Sequence, residues 1–211
     1  MYLSRVEIDI KNRKKIKNLS HVGAFHNWVE NSFPKEIKFK QRSRKLWRID
    51  KLNGKEYLLI VSSEKPDIQI LEKYGVQDSA ETKYYGDFLG KLKNGQKMKF
   101  RVVLNPVISI PQRNGERGIV KPHVTIEYQM KYLLDRSEKN GFIINEEEVN
   151  VVERGYVEFK KPKNKSIRLV KVVYEGILTI KDVDIFRNIL INGIGKKKAY
   201  GFGMITVIPV I

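Results

Sequence analysis

The chain has 211 residues, 41% of them hydrophobic, and its 41 Lys and Arg against 24 Asp and Glu leave a formal net charge of +17. That length suits one large domain or two small ones with buried cores, and the charge asks for a polyanionic partner, nucleic acid ahead of an acidic membrane surface. With no cysteine and three scattered histidines, His21, His26 and His123, it offers no disulfide framework and no metal centre; with no long apolar run and no signal-peptide pattern, a cytoplasmic protein without a membrane segment is expected.

Residues 2–10 alternate in polarity as a strand does. The stretch with Lys11, Arg13, Lys14, Lys15 and Lys17 follows as a basic loop, either a solvated connection or a phosphate contact. Residues 20–33 place Val22, Phe25, Val29 and Phe33 on one side of a helix, which Pro34 ends. His26 lies near its first turns. A lone helical histidine is more often structural than catalytic, but imidazole titrates near neutral pH and suits proton transfer. Lys35, Lys38, Lys40, Arg42, Arg44 and Lys45 make a dense basic segment, and a hairpin over 45–50 and 56–63 turns at Asn53-Gly54. With a short helix over 67–74, the order strand, helix, hairpin, helix opens a βαββαβ unit. Residues 77–95, rich in Gly, Asp and Lys, read as a link.

The second half starts with an alternating strand, 97–104, ending at Asn105-Pro106. The loop 111–122 carries Arg113, Arg117 and Lys121; it reads as a basic finger for an RNA groove or as a plain surface loop. A helix spans 125–139, with His123 just before it. Short strands are expected at 142–144, 149–152 and 156–159, then a polar turn with Lys160 and Lys161, then a strand over 167–180. A helix over 182–191 leads into Gly193-Ile-Gly-Lys-Lys-Lys-Ala-Tyr-Gly-Phe-Gly-Met204 and a last strand. Dinucleotide and P-loop motifs need strand, glycines, then helix, so this opposite order excludes both. Two Gly-X-Gly pairs, Gly193/Gly195 and Gly201/Gly203, around Lys196, Lys197 and Lys198 suit an anion site; a tight turn alone is the bland alternative. The fold expected is α+β, two tandem ferredoxin-like (RRM-like, βαββαβ) domains over 1–90 and 96–211.

Asn105-Pro106 after a basic strand, Tyr174-Glu-Gly-Ile-Leu-Thr-Ile-Lys-Asp182 and the 193–204 loop resemble the CasE endoribonucleases of type I-E CRISPR systems. The resemblance covers essentially the whole chain and is closest after residue 170. It implies a metal-independent endoribonuclease without cofactor. Such an enzyme cuts CRISPR precursor RNA within the repeat, at the base of its hairpin, by 2′-hydroxyl attack that leaves a 2′,3′-cyclic phosphate. It retains the mature crRNA, joins the other Cascade subunits, and is monomeric alone. His26 matches the family's histidine. Gly23 stands where many relatives carry a tyrosine, so a second proton-transfer group must come from elsewhere, with His21 as candidate. RNA contacts are expected at Gly193, Gly195, Lys196 to Lys198, Gly201 and Gly203, and at Arg113, Arg117, Lys121, Lys160 and Lys161. The alternative is a repeat-RNA-binding subunit with weak or no cleavage.

Overall fold

The computed structural model describes residues 1–112, 116, 118–160 and 166–210, with Lys160 as backbone only. The first half runs β1 (Tyr2–Ile8), α1 (Arg13–Ile16), α2 (Val22–Asn31), α3 (Pro34–Phe39), β2 (Leu46–Leu52), β3 (Lys55–Ser62), α4 (Ile68–Leu71), β4 (Glu81–Tyr84) and α5 (Gly86–Gly90). Its strands form one antiparallel sheet in the order β2-β3-β1-β4. The β2–β3 turn falls at Asn53 (φ 50°) and Gly54 (φ 75°), the paired positive φ values of a tight hairpin.

Leu58-Leu-Ile-Val61 is continuously apolar because both faces of β3 are covered. Leu58 and Ile60 lie with Trp28 and Val29 of α2, while Leu59 and Val61 face the second half. Trp28 Nε1 donates to Leu71 O at 3.1 Å and ties α2 to α4. The expected link 77–95 instead contains β4, which completes the sheet through Ser4↔Thr82, and α5. β4 is a mostly exposed edge strand, so it carries no alternating apolar signal. Likewise the basic loop after β1 contains α1, and the basic segment after α2 contains α3.

The second half runs β5 (Lys97–Leu104), β6 (Val107–Ile110), β7 (Ile119–Pro122), α6 (Ile126–Ser137), β8 (Phe142–Ile143), β9 (Val149–Lys160), β10 (Ser166–Ile180), α7 (Val183–Asn192) and β11 (Ile205–Pro209). The sheet order β11-β5-β10-β8 repeats that of the first half, with β9 also on β10 and β6–β7 as a separate ribbon. The molecule is therefore two ferredoxin-like units in tandem. Thr125 and Asp182 cap α6 and α7 through their side-chain oxygens. β9 is one strand rather than the two short ones expected, since a register shift opposite Val173/Tyr174 breaks its alternation without ending its pairing. The outer part of β10, Ser166 to Lys171, pairs with β9 beyond the point where β5 begins to pair, at Val172. The β9–β10 ribbon thus extends past the sheet.

The two units share a core. Leu46 and Val61 pack in one cluster with Met98, Val102, Leu104, Met204 and Ile205. Arg48 of β2 is 2% exposed and donates to Arg101 O at 2.8 Å, Met204 O at 3.0 Å and Thr206 Oγ1 at 2.7 Å. Asp50 accepts from the same guanidinium at 2.7 and 2.6 Å, so the buried charge is neutralised and its donors are used. Among the described residues, no helix is long and apolar enough to cross a membrane.

Candidate active site

His21 is the N-cap of α2: its backbone is extended and its Nδ1 accepts the Gly23 N–H at 3.1 Å. The residue expected as a second proton-transfer group is thus engaged at the helix start. A Cβ on Gly23 would lie 3.0 Å from the His21 ring and 3.5 Å from Phe159 Cε2, so β9 and the cap already cover this part of the helix.

His26, further along α2, is half-buried beside an open hollow of about 250 Å³ lined by Glu30, Arg42, Ser43, Arg44, Lys45 and Ala199. Burial lowers its pKa below the ordinary 6.5, and Arg42 and Lys45 push the same way against the opposing pull of Glu30. The imidazole is therefore predominantly neutral at pH 7, with an unprotonated nitrogen able to accept a proton.

A buried ion pair builds the wall of the hollow. The Lys45 side chain is 1% exposed, with Nζ 2.6 Å from Glu36 Oε2, 3.5 Å from Glu30 Oε2 and 4.9 Å from the Phe33 ring centroid. Glu36 also accepts from Ser43 N at 2.8 Å and Ser43 Oγ at 2.5 Å. One carboxylate on α3 thereby holds the chain at Ser43 and Lys45, and the intervening geometry presents Arg42 and Arg44 on the rim. Both arginines are exposed, and among the described residues neither is paired with a carboxylate. Two exposed guanidiniums beside this imidazole suit a phosphodiester, because guanidinium donors match phosphate oxygens in geometry and charge.

The third wall comes from the glycine loop. Gly193 (φ 73°) and Gly203 (φ 82°) are buried; Ile194 N donates to Gly203 O at 2.9 Å and Gly203 N to Val103 O at 2.7 Å. A Cβ on Gly203 would fall 2.2 Å from Ile194 O, and one on Gly201 2.8 Å from a Trp47 ring carbon. These glycines serve close packing. Gly193 and Gly203, expected to contact RNA, have their N–H groups bonded within the protein, which leaves Gly195, Lys196 and Lys197 as the exposed stretch. Lys198 is half-buried, and burial together with nearby Arg44 lowers its pKa. A 3-10 turn over Lys198–Tyr200 brings Ala199 O to Trp47 Nε1 at 3.1 Å and lays Tyr200 edge-on to His26.

Three segments far apart in sequence thus meet around His26: its own helix, the Arg42–Arg44 turn and the glycine loop. Arg42 and Arg44 were visible only as part of a charge run, Trp47 only as an apolar position facing the hairpin core, and nothing in the sequence singled out Tyr200 or Phe159 for the site. His123 lies elsewhere, stacked on Tyr128 with ring centroids 5.9 Å apart. Lys121 is exposed on β7 opposite Ile108. Arg113, Arg117, Lys161 and the Lys160 side chain lie outside the described residues.

A profile of the family described as CRISPR associated protein matches residues 1–209. The chain belongs to this family. That agrees with the CasE resemblance carried by the Glu-Gly strand and the glycine loop. A curated relative, the CRISPR-associated endoribonuclease Cse3 of Thermus thermophilus, is 24% identical over 99% of this chain and 100% of its own. The structure of CRISPR endoribonuclease Cse3 bound to a 19-nucleotide RNA superposes with a TM-score of 0.81 at 23% identity, covering 99% of this chain and 100% of that one. A chain of a CRISPR RNA-guided surveillance complex, in a pre-nicking state, matches with a TM-score of 0.66 at 20% identity and full coverage of both chains. At these identities the structural likenesses establish the common tandem fold.

Proposed function

We propose that this CRISPR-associated protein is a metal-independent endoribonuclease that cuts precursor RNA within the repeat, at the base of its hairpin, and keeps the mature crRNA. The observation that carries the reading is the half-buried His26 imidazole beside a hollow rimmed by Arg42 and Arg44. In the reaction an unprotonated nitrogen of His26 takes the proton of the ribose 2′-hydroxyl. The oxygen attacks the adjacent phosphorus in line, the bond to the 5′-oxygen breaks, and that oxygen takes up a proton from solvent. The products are a 2′,3′-cyclic phosphate and a 5′-hydroxyl. On this reading Arg42 and Arg44, with Lys198 near Arg44, offset the charge that builds on the phosphorane.

The RNA assignment draws further support from the net charge of +17 and from relatives named as an endoribonuclease, as bound to RNA and as part of a surveillance complex. On this reading the protein works in the cytoplasm, monomeric until it joins the other Cascade subunits with its crRNA. His21, with Nδ1 committed to the cap, is given no proton-transfer step.

The test is cleavage of a CRISPR repeat hairpin in EDTA, with an all-ribose substrate and one carrying a 2′-deoxy nucleotide at the cut site. Wild type is expected to cut only the ribose substrate, and His26→Ala to bind it without cutting. Cleavage of the deoxy substrate, or by His26→Ala at the wild-type rate, overturns the mechanism. Tight hairpin binding with no cleavage by wild type establishes the repeat-binding subunit instead.

A further inference from the structure

The His26 ring is approached by an aromatic ring from the C-terminal half. Tyr200 meets it edge-to-face, with ring centroids 5.8 Å apart and planes at 67°. The Tyr200 ring is itself held. Phe159 of β9 packs on it at a centroid distance of 4.4 Å. The turn that carries it is bracketed by left-handed residues, Lys197 (φ 66°) and Gly201 (φ 83°), and is anchored through Ala199 O to Trp47 Nε1 at 3.1 Å. Trp47 fills the space left by the missing Cβ of Gly201 and stacks on Phe25, the residue before His26, at 6.0 Å. One indole therefore indexes both the helix bearing His26 and the turn bearing Tyr200.

We propose that Tyr200 is the positioning residue for His26: its ring, delivered by the glycine loop, fixes the orientation of the imidazole and shields one side of it from water. The proposal rests on the reading of His26 as the proton acceptor. The role belongs to the ring, not to the hydroxyl. The charged groups that face His26 are Glu30 on its own helix and Arg42, Arg44 and Lys45 after α3. Substitution at 200 leaves all four in place, so a change in His26 titration reports the loss of the ring.

The experiment compares Tyr200→Phe, Tyr200→Leu and Tyr200→Ala in single-turnover cleavage, in affinity for the repeat hairpin, and in the NMR titration of the His26 ring without RNA. Tyr200→Phe is expected to cut within about twofold of wild type. Tyr200→Leu and Tyr200→Ala should lose about tenfold to a hundredfold in rate with affinity unchanged, the cost of a misplaced catalytic group. In Tyr200→Ala the His26 titration should move up towards its ordinary value. A Phe variant as slow as the Ala variant shows that the hydroxyl acts and overturns the proposal. So does wild-type cleavage by both Leu and Ala variants. Leu fills the space without an aromatic edge, so its rate decides the matter if Ala does not fold. If wild type itself does not cut, the nuclease reading fails separately, and an unmoved His26 titration in Tyr200→Ala would then overturn the positioning role on its own.

Discussion

At His26 a single residue carries two opposed influences, burial with Arg42 and Lys45 lowering its pKa and Glu30 raising it. Since kcat/KM reports the free enzyme, its pH profile should be flat near neutrality and fall as pH drops through a midpoint below 6.5. A midpoint above 6.5 would argue against the base role. Glu30→Gln should move the midpoint lower still, because a carboxylate that favours the imidazolium is gone. The stability linkage has the same direction. The unfolded chain binds the proton more readily than the folded one, so this histidine's contribution is full above the unfolded value and is lost as pH falls through the folded one. For His21 the expected effect is structural. His21→Ala should lower stability by about 1 kcal/mol, the usual cost of an N-cap, and leave single-turnover cleavage within a few-fold of wild type. Abolished cleavage at unchanged melting temperature would instead make His21 a proton-transfer group.

Among the elements, the α3 turn and the glycine loop do the placing. Burial works to raise the pKa of Glu36, but hydrogen bonds from Lys45 and Ser43 outweigh it and the net direction is down. The stability it contributes is full above the unfolded carboxyl value and is lost as pH falls through the folded one. Glu36→Gln leaves Lys45 with a weakened partner set and should cost roughly 2–3 kcal/mol by chemical denaturation. It should also slow cleavage, by loosening Arg42 and Arg44. On the opposite wall, Gly201→Ala forces a Cβ towards Trp47 at φ 83°, so a loss of about 1–3 kcal/mol is expected together with a drop in cleavage rate. If Gly201→Ala keeps wild-type stability and rate, the loop is not held by the indole. Most of these elements were legible: the Asn53-Gly54 hairpin, the α6 and α7 patterns and the β5 and β10 alternation all correspond to observed elements. β4 was not, because an exposed edge strand bears no apolar period, and β9 was read as two pieces because its register shift breaks one.

For the whole molecule the decisive contact is Arg48, which joins the first sheet to Arg101 O of β5, to Met204 O just before β11 and to Thr206 Oγ1 of β11. Arg48→Ala leaves Asp50 with Arg101 Nε, at 3.2 Å, as its remaining cationic partner and removes the donor to those carbonyls. A loss of about 3–5 kcal/mol is expected, with a site that no longer assembles, because His26 and Tyr200 come from opposite halves. A melting temperature unchanged by Arg48→Ala would mean that the shared apolar core and the Trp47–Ala199 hydrogen bond suffice to join the units. The charge of +17 is a property at this scale too. Affinity for a repeat hairpin should fall steeply and log-linearly with salt if several arginines and lysines neutralise phosphates, and a flat response would contradict an electrostatic footprint.

Composition and local pattern were sufficient to ask for a polyanionic partner and to give the tandem βαββαβ order and His26 on its helix, because net charge, apolar period and turn chemistry are written in neighbouring residues. They also placed lysines in the glycine loop, but not the job of its glycines. Gly193, Gly201 and Gly203 read either as a cradle for phosphate or as a tight turn, and in the fold their missing Cβ atoms allow close approach to Leu46, Trp47 and Ile194. The site itself is a tertiary fact. Residue 26 and residue 200 share no local signal, and a charge run cannot say which of its arginines are free. Only the docking of the two sheets, with Arg48 and Trp47 between them, brings a half-buried imidazole, two exposed guanidiniums and an aromatic wall to one place.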